Sequence, residues 1–162
     1  MKKNVLILML SIVVIAVGLT AGCAKEDAGA APENAVTEQN NVTSNEVIDA
    51  YMTSVKEQSD AIKTSLEQDI LTQTDMNIKS MELSELWDGA VNYLLDELKN
   101  RLSEEEFAKL QNDQLVWEAE KEKAVQEAGQ GFEGGSFYSY IVNSKAAEVT
   151  EERALELYEM LK

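Results

Sequence analysis

The chain has 162 residues, with 14 Lys+Arg against 30 Asp+Glu and a formal net charge of −16. That balance excludes nucleic acid as a partner and disfavours an anionic surface, because phosphate binding needs a basic face. With no histidine and a single cysteine, an internal disulfide, a His/Cys zinc site, a Ser-His-Asp triad and a Cys-His pair are all excluded. No calcium loop, phosphate loop or dinucleotide fingerprint is present, so neither a metal nor a cofactor is expected, and the chain does not read as an enzyme.

Lys2 and Lys3 open the chain, and an apolar run from Val5 to Val17 follows, broken only by Ser11. Leu19-Thr20-Ala21-Gly22 then leads into Cys23. A positive start, an apolar stretch and small residues make a secretory signal over residues 1–22. The lone thiol just after it resembles a bacterial lipobox, in which the cysteine receives a diacylglyceryl group and the chain is cut before it. Thr20 stands where a larger aliphatic residue is more usual. On this reading Cys23 is the lipid attachment point, and two acyl chains at about 0.8 kcal/mol per buried CH₂ hold the protein on the extracytoplasmic face of the cell membrane. A membrane helix and an ordinary cleaved signal are the alternatives, and both also place the remainder outside the cytoplasm.

Residues 23–43 are rich in Ala, Asn, Glu and Thr, contain the chain's single proline, Pro32, and lack an apolar period. They read as a lipidated disordered tether with a reach of roughly 25 Å.

Residues 44–162 carry helical spacing almost throughout and no proline. The expected fold is all-α, a small antiparallel bundle of four to five helices. Ser44 or Asn45 caps a first helix, 44–71, whose Ile48, Met52, Val55, Ile62, Leu66 and Ile70 recur at steps of three and four, with Ser59 filling the gap. Thr74 caps a second, with Asp75 favourable against its dipole. There Met76, Leu83, Trp87, Ala90, Leu94 and Leu98 share one face, and Glu85, Asp88, Asn92, Asp96 and Lys99 fall opposite. Ser103-Glu104-Glu105-Glu106 is a capping box opening a third helix that runs to about Ala128. A glycine-rich loop, Gln130 to Gly135, follows. Ser136 then caps a short helix bearing Phe137, Tyr140, Ile141 and Ser144, and Thr150 caps a last one that buries Ala154, Leu157, Tyr158 and Leu161.

The third helix places two polar residues on its apolar stripe. Phe107, Leu110, Trp117, Ala124, Val125 and Ala128 share that stripe with Gln114 and Lys121. A lysine there must snorkel outward, find a carboxylate or line a cleft, and a buried glutamine needs partners at both ends of its amide. Asn77, Glu118 and Arg153 are the candidate partners. The arrangement reads either as a polar network that fixes helix register or as a ligand-facing pocket. Trp87 and Trp117 read as core residues.

Several short motifs then fall in a fixed order: Met76-Asn77; Gln114-Leu115-Val116-Trp117; Lys121-Glu122; Gly134-Gly135-Ser136; and Thr150-Glu151-Glu152-Arg153. This order, over about Leu66 to Lys162, resembles the LprI family of secreted bacterial proteins, named for a lysozyme inhibitor. Lys121 stands where arginine is common in that family. The cysteines that many relatives carry are missing, and Val125 occupies one of their places. The first helix, 44–71, reads as an added N-terminal arm.

The resemblance implies a small helical inhibitor domain able to bind lysozyme. Charge fits, because host-defence lysozymes are strongly basic and this chain is acidic. The expected partner is therefore a cationic protein, with lysozyme the leading candidate. The loop Gln130-Gly131-Phe132-Glu133-Gly134-Gly135 is the candidate contact, with Phe132 as an apolar anchor and Glu133 facing a cationic or catalytic group. Its glycines equally suit a plain helix-to-helix connection. An envelope scaffold lipoprotein without inhibitory activity is the alternative function, its long first helix docking on a partner or pairing with itself. A solute-capturing lipoprotein and a carboxylate enzyme are more distant readings.

Overall fold

The structure, a computed structural model, describes residues 43–162. The expected signal peptide, Cys23 and all of the tether but Thr43 lie outside the described residues. Four helices and no strand are present among the described residues: α1, Ser44–Gln68; α2, Gln73–Arg101; α3, Glu104–Gly129; and α4, Tyr138–Glu159. None of them is long and apolar enough to cross a membrane.

Three of the four helices begin with the same device. Thr43, Thr72 and Ser103 each accept a hydrogen bond from the backbone amide three residues on, and Glu46, Asp75 and Glu106 reach back to the capping residue's own amide. The capping residues of α1 and α2 are therefore Thr43 and Thr72, not Ser44 or Asn45 and not Thr74. The reciprocal acid decides the position, since only Thr43 and Thr72 have a carboxylate three residues later that can close the box.

Hydrogen bonds from Thr43, Thr72 and Ser103 hold the carboxyls of Glu46, Asp75 and Glu106 below the usual carboxylate range. A carboxyl whose folded-state pKa is depressed contributes stability that is present above its unfolded value and lost as pH falls through its folded value. Below about pH 4, the first turns of α1, α2 and α3 are expected to fray. Faster hydrogen exchange at the Glu46, Asp75 and Glu106 amides, after correction for intrinsic rates, would report it.

The expected fourth and fifth helices are one. α4 runs unbroken through Thr150, whose hydroxyl donates back to the carbonyl of Ala146 at 2.7 Å instead of capping a new start. No glycine or proline separates Ser144 from Thr150, so nothing in the backbone forces a stop. α4 begins at Tyr138 without a side-chain cap, and Ser136 stays in the preceding loop. α1 ends earlier than its periodicity suggests. Asp69 is extended, its carboxylate is bonded by the Ser65 hydroxyl, and Ile70 is fully exposed rather than part of the buried stripe.

The chain runs up and down. The start of α4 lies by the start of α2, where the Asn143 amide donates to the Ser80 hydroxyl at 3.5 Å. The far ends meet where Arg101 donates to the carbonyl of Leu161 at 3.2 Å. α2 and α4 are thus parallel and form the most extensive packing pair, with α1 against α2 and α3 against α4. The core sits between α1, α2 and α4: Ile48, Met52, Val55, Leu83, Trp87, Leu94, Leu98, Ala154 and Leu157 are all buried. The buried face of α1 is therefore part of this core. Trp87 is its centre, and its indole N–H donates to the buried hydroxyl of Ser59 on α1 at 3.1 Å. The polar gap in the α1 stripe is thereby filled by a partnered side chain. Two cross-links tie α1 to α4, the ion pair of Lys63 with Glu151 at 2.6 Å and a hydrogen bond from the Tyr158 hydroxyl to Asp49.

Candidate functional site

α2 and α3 are joined only by Leu102 and Ser103, and they touch little beyond that connection. α3 leans away and packs on α4 instead. A groove of about 820 Å³ opens between them. Ser84, Asp88, Val91 and Asn92 of α2 form one wall and Gln114, Trp117, Glu118, Lys121, Glu122, Val125 and Gln126 of α3 the other, with Tyr138 and Ala146 contributed from α4. The two polar residues on the apolar stripe of α3 thus face a cleft.

Their partners follow from this geometry. Lys121 crosses the groove to Asp88 at 2.6 Å and lies 5.3 Å from the centre of the Trp117 ring. Gln114 is nine-tenths buried, and its carbonyl accepts from the Nε of Arg153 at 3.1 Å. The remaining guanidinium nitrogens donate to Asp113 at 2.7 Å and Glu156 at 3.0 Å, and the guanidinium carbon stands 5.9 Å from the Trp117 ring. Because Arg153 can only donate, the Gln114 oxygen must face it and the amide nitrogen must point elsewhere. Of the expected partners of Gln114, Arg153 is the one found. Asn77 sits in a second polar cluster, accepting from Gln73 at 2.9 Å and donating to the carbonyl of Ser136 at 3.5 Å. Glu118 lies exposed on the groove rim.

Sequence reasoning missed three contributors. Asp88 and Asn92 fall on the polar side of α2, as read from the helical wheel, yet they line the groove. Both facts hold because the groove is open to solvent. Asp113 was not singled out, and nothing local connects it to a residue 40 positions on. The spacing of Arg153 and Glu156 is the one signal that was available, since residues three apart on a helix are neighbours.

The loop after α3 is a run of tight turns. The amide of Phe132 donates to the Gly129 carbonyl at 3.1 Å and that of Gly135 to the Phe132 carbonyl at 2.9 Å. Gly131 and Gly134 hold φ of 83° and 75°, a region that side chains with a Cβ rarely adopt. Phe132 is 47% exposed. Glu133 is exposed, and its carboxylate accepts from the Gly131 amide at 2.8 Å, bracing the loop from within. The loop is rooted at the end of the groove, because a Cβ at Gly129 would lie 2.9 Å from both the Tyr138 ring and a Val142 methyl group.

Among the described residues no group of three or more His, Cys, Asp or Glu side chains is placed to hold a metal ion.

The family model described as Lysozyme inhibitor LprI matches residues 64–157, more than half of the chain. The chain belongs to the LprI family. Comparison with curated proteins and with solved structures gave no match. The LprI match begins near the end of α1 and takes in α2, α3, the loop and most of α4. Residues of the short motifs read from the sequence gather at two places. Gln114, Trp117, Lys121 and Arg153 form the cluster on the groove. Asn77 and Ser136, with Asn143, tie the start of α2 to the start of α4.

Proposed function

We propose that this protein is a lysozyme-binding inhibitor held by a lipid on Cys23 at the extracytoplasmic face of the cell membrane. The observation that carries the reading is the LprI match over residues 64–157. Charge supports it: the chain has a formal net charge of −16, and complementary fields speed the approach of a strongly basic enzyme and suppress wrong partners. The anchor rests on the Leu19-Thr20-Ala21-Gly22-Cys23 pattern. Binding, not catalysis, is the activity, in keeping with a family of inhibitors.

We assign Phe132 as an apolar contact, because an aromatic side chain raised on a braced loop offers buried area at low entropic cost. Glu133 has two tasks on this reading, closing the loop and presenting negative charge beside Phe132. In a lysozyme inhibition assay with the intact protein, Phe132→Ala and Glu133→Lys are each expected to weaken inhibition by about tenfold. Unchanged inhibition in both variants removes the loop from the interface. Binding without inhibition by the unmodified protein favours the scaffold reading.

A further inference from the structure

The groove between α2 and α3 has features that the lysozyme reading does not by itself explain. Its rim carries Asp88, Glu118 and Glu122, and Lys121, the one cation that lines it among the described residues, is already committed to Asp88. Glu118 and Glu122 are exposed and stand one helical turn apart. The wall between them and the floor is apolar, formed by Trp117, Val125 and Val91. Gln114 supplies an independent observation. Its oxygen is taken by Arg153, and its amide nitrogen donates to no group among the described residues and stays open to solvent, although the residue as a whole is nine-tenths buried. A second cavity of about 290 Å³, lined by Leu95, Phe107 and Leu115, shares Gln114 and Glu118 with the first. Gln114 thus lies where the two hollows adjoin.

A donor at the bottom, apolar walls and carboxylates at the rim match one kind of occupant. We infer that the groove docks a basic segment of a protein partner, a stretch whose lysine or arginine meets Glu118 and Glu122 and whose backbone carbonyl accepts from Gln114. The alkyl stem of that cation lies along Val125 and the edge of Trp117. A sugar ring is a poorer fit, because Lys121 and Arg153 already attend the Trp117 ring on which it would stack. That the partner is lysozyme rests on the function proposed above; the preference for a basic segment does not.

The test uses the intact chain in detergent micelles with three probes: lysozyme, a short capped peptide of alternating arginine and alanine, and a soluble chitin oligosaccharide. Glu118→Lys combined with Glu122→Lys is compared with Glu57→Lys combined with Glu67→Lys, which makes the same change of charge on the exposed side of α1. Val125→Trp fills the groove without changing charge. Helical content and melting are checked for each. The groove pair is expected to weaken lysozyme and peptide binding by about 30-fold or more, Val125→Trp to do likewise, and the α1 pair to change either by no more than about threefold. Peptide binding with this pattern but no lysozyme binding sustains the groove and overturns the lysozyme reading. Equal losses in the two charge-reversed pairs, no peptide binding, or oligosaccharide binding in place of the peptide overturns the groove proposal.

Discussion

Trp87→Ala is expected to destabilise the domain by about 3–5 kcal/mol. Trp87 is fully buried, with Met52 and Val55 of α1 and Ala154 and Leu157 of α4 in the same core. Truncation opens a cavity that three separate helices border, and helices cross-linked to one another cannot all collapse inward to fill it. The indole N–H is lost as well, which leaves the buried Ser59 hydroxyl without the donor it now accepts from. Trp87→Phe separates the two contributions. It keeps most of the volume and loses the hydrogen bond, so a smaller cost of about 1–2 kcal/mol is expected. Denaturant unfolding of both variants reads the difference. Since a domain of this size is stable by only about 5–15 kcal/mol, Trp87→Ala should leave a measurable unfolded population. A cost below about 1 kcal/mol would mean that α1 does not dock on α2 as described. The effect reaches the groove, because Asp88 follows Trp87 directly and the same helix presents core on one face and cleft wall on the other.

Arg153→Ala is expected to cost about 2–4 kcal/mol. Arg153 is 7% exposed, and three partners on two helices depend on its guanidinium. The carboxylates of Asp113 and Glu156 are mostly exposed and return to water when it is removed, so their loss contributes little. Gln114 cannot do the same. Its buried carbonyl is left with no donor, and that unpaired acceptor makes up most of the cost. Arg153→Lys keeps the charge but cannot serve three acceptors from a planar fork, so it should recover less than half of the loss. A double variant, Arg153→Met with Gln114→Leu, removes both polar ends together and is expected to be more stable than Arg153→Ala, as paired removal of buried polar groups often is. Chemical denaturation of the set tests this. Additive effects of the two changes would show that Gln114 and Arg153 do not act as a unit.

The parts of this molecule that were legible in its sequence are those that depend on residues close along the chain. The buried face of α2, from Leu83 through Leu98, follows from a period of 3.6, as does the Leu110–Gln114–Trp117–Lys121 stripe of α3. Cap positions were legible in principle. The spacing of Thr43 to Glu46 and of Thr72 to Asp75 is that of Ser103 to Glu106, and the nearer hydroxyls lack a reciprocal acid. Thr150 misled because threonine serves a helix start and a helix interior by different bonds, and its back-bond to Ala146 is visible only in three dimensions. The groove was legible only as one alternative, a pocket faced by Gln114 and Lys121, and its α2 wall was not legible. It exists because α3 leaves α2 for α4, a choice fixed by long-range pairs such as Gln114 with Arg153, 39 positions apart. Helical wheels assign Asp88 to water, and water is what fills an open groove.

The most direct measurement is a titration of the intact protein against lysozyme, reading both binding and bacteriolytic activity, at low and at high salt. Binding at low salt that suppresses activity and loosens steadily as salt screens the acidic surface is the expected result. No association at low salt, or an affinity indifferent to salt, would contradict the view that an acidic helical domain of this family captures a basic wall-cleaving enzyme.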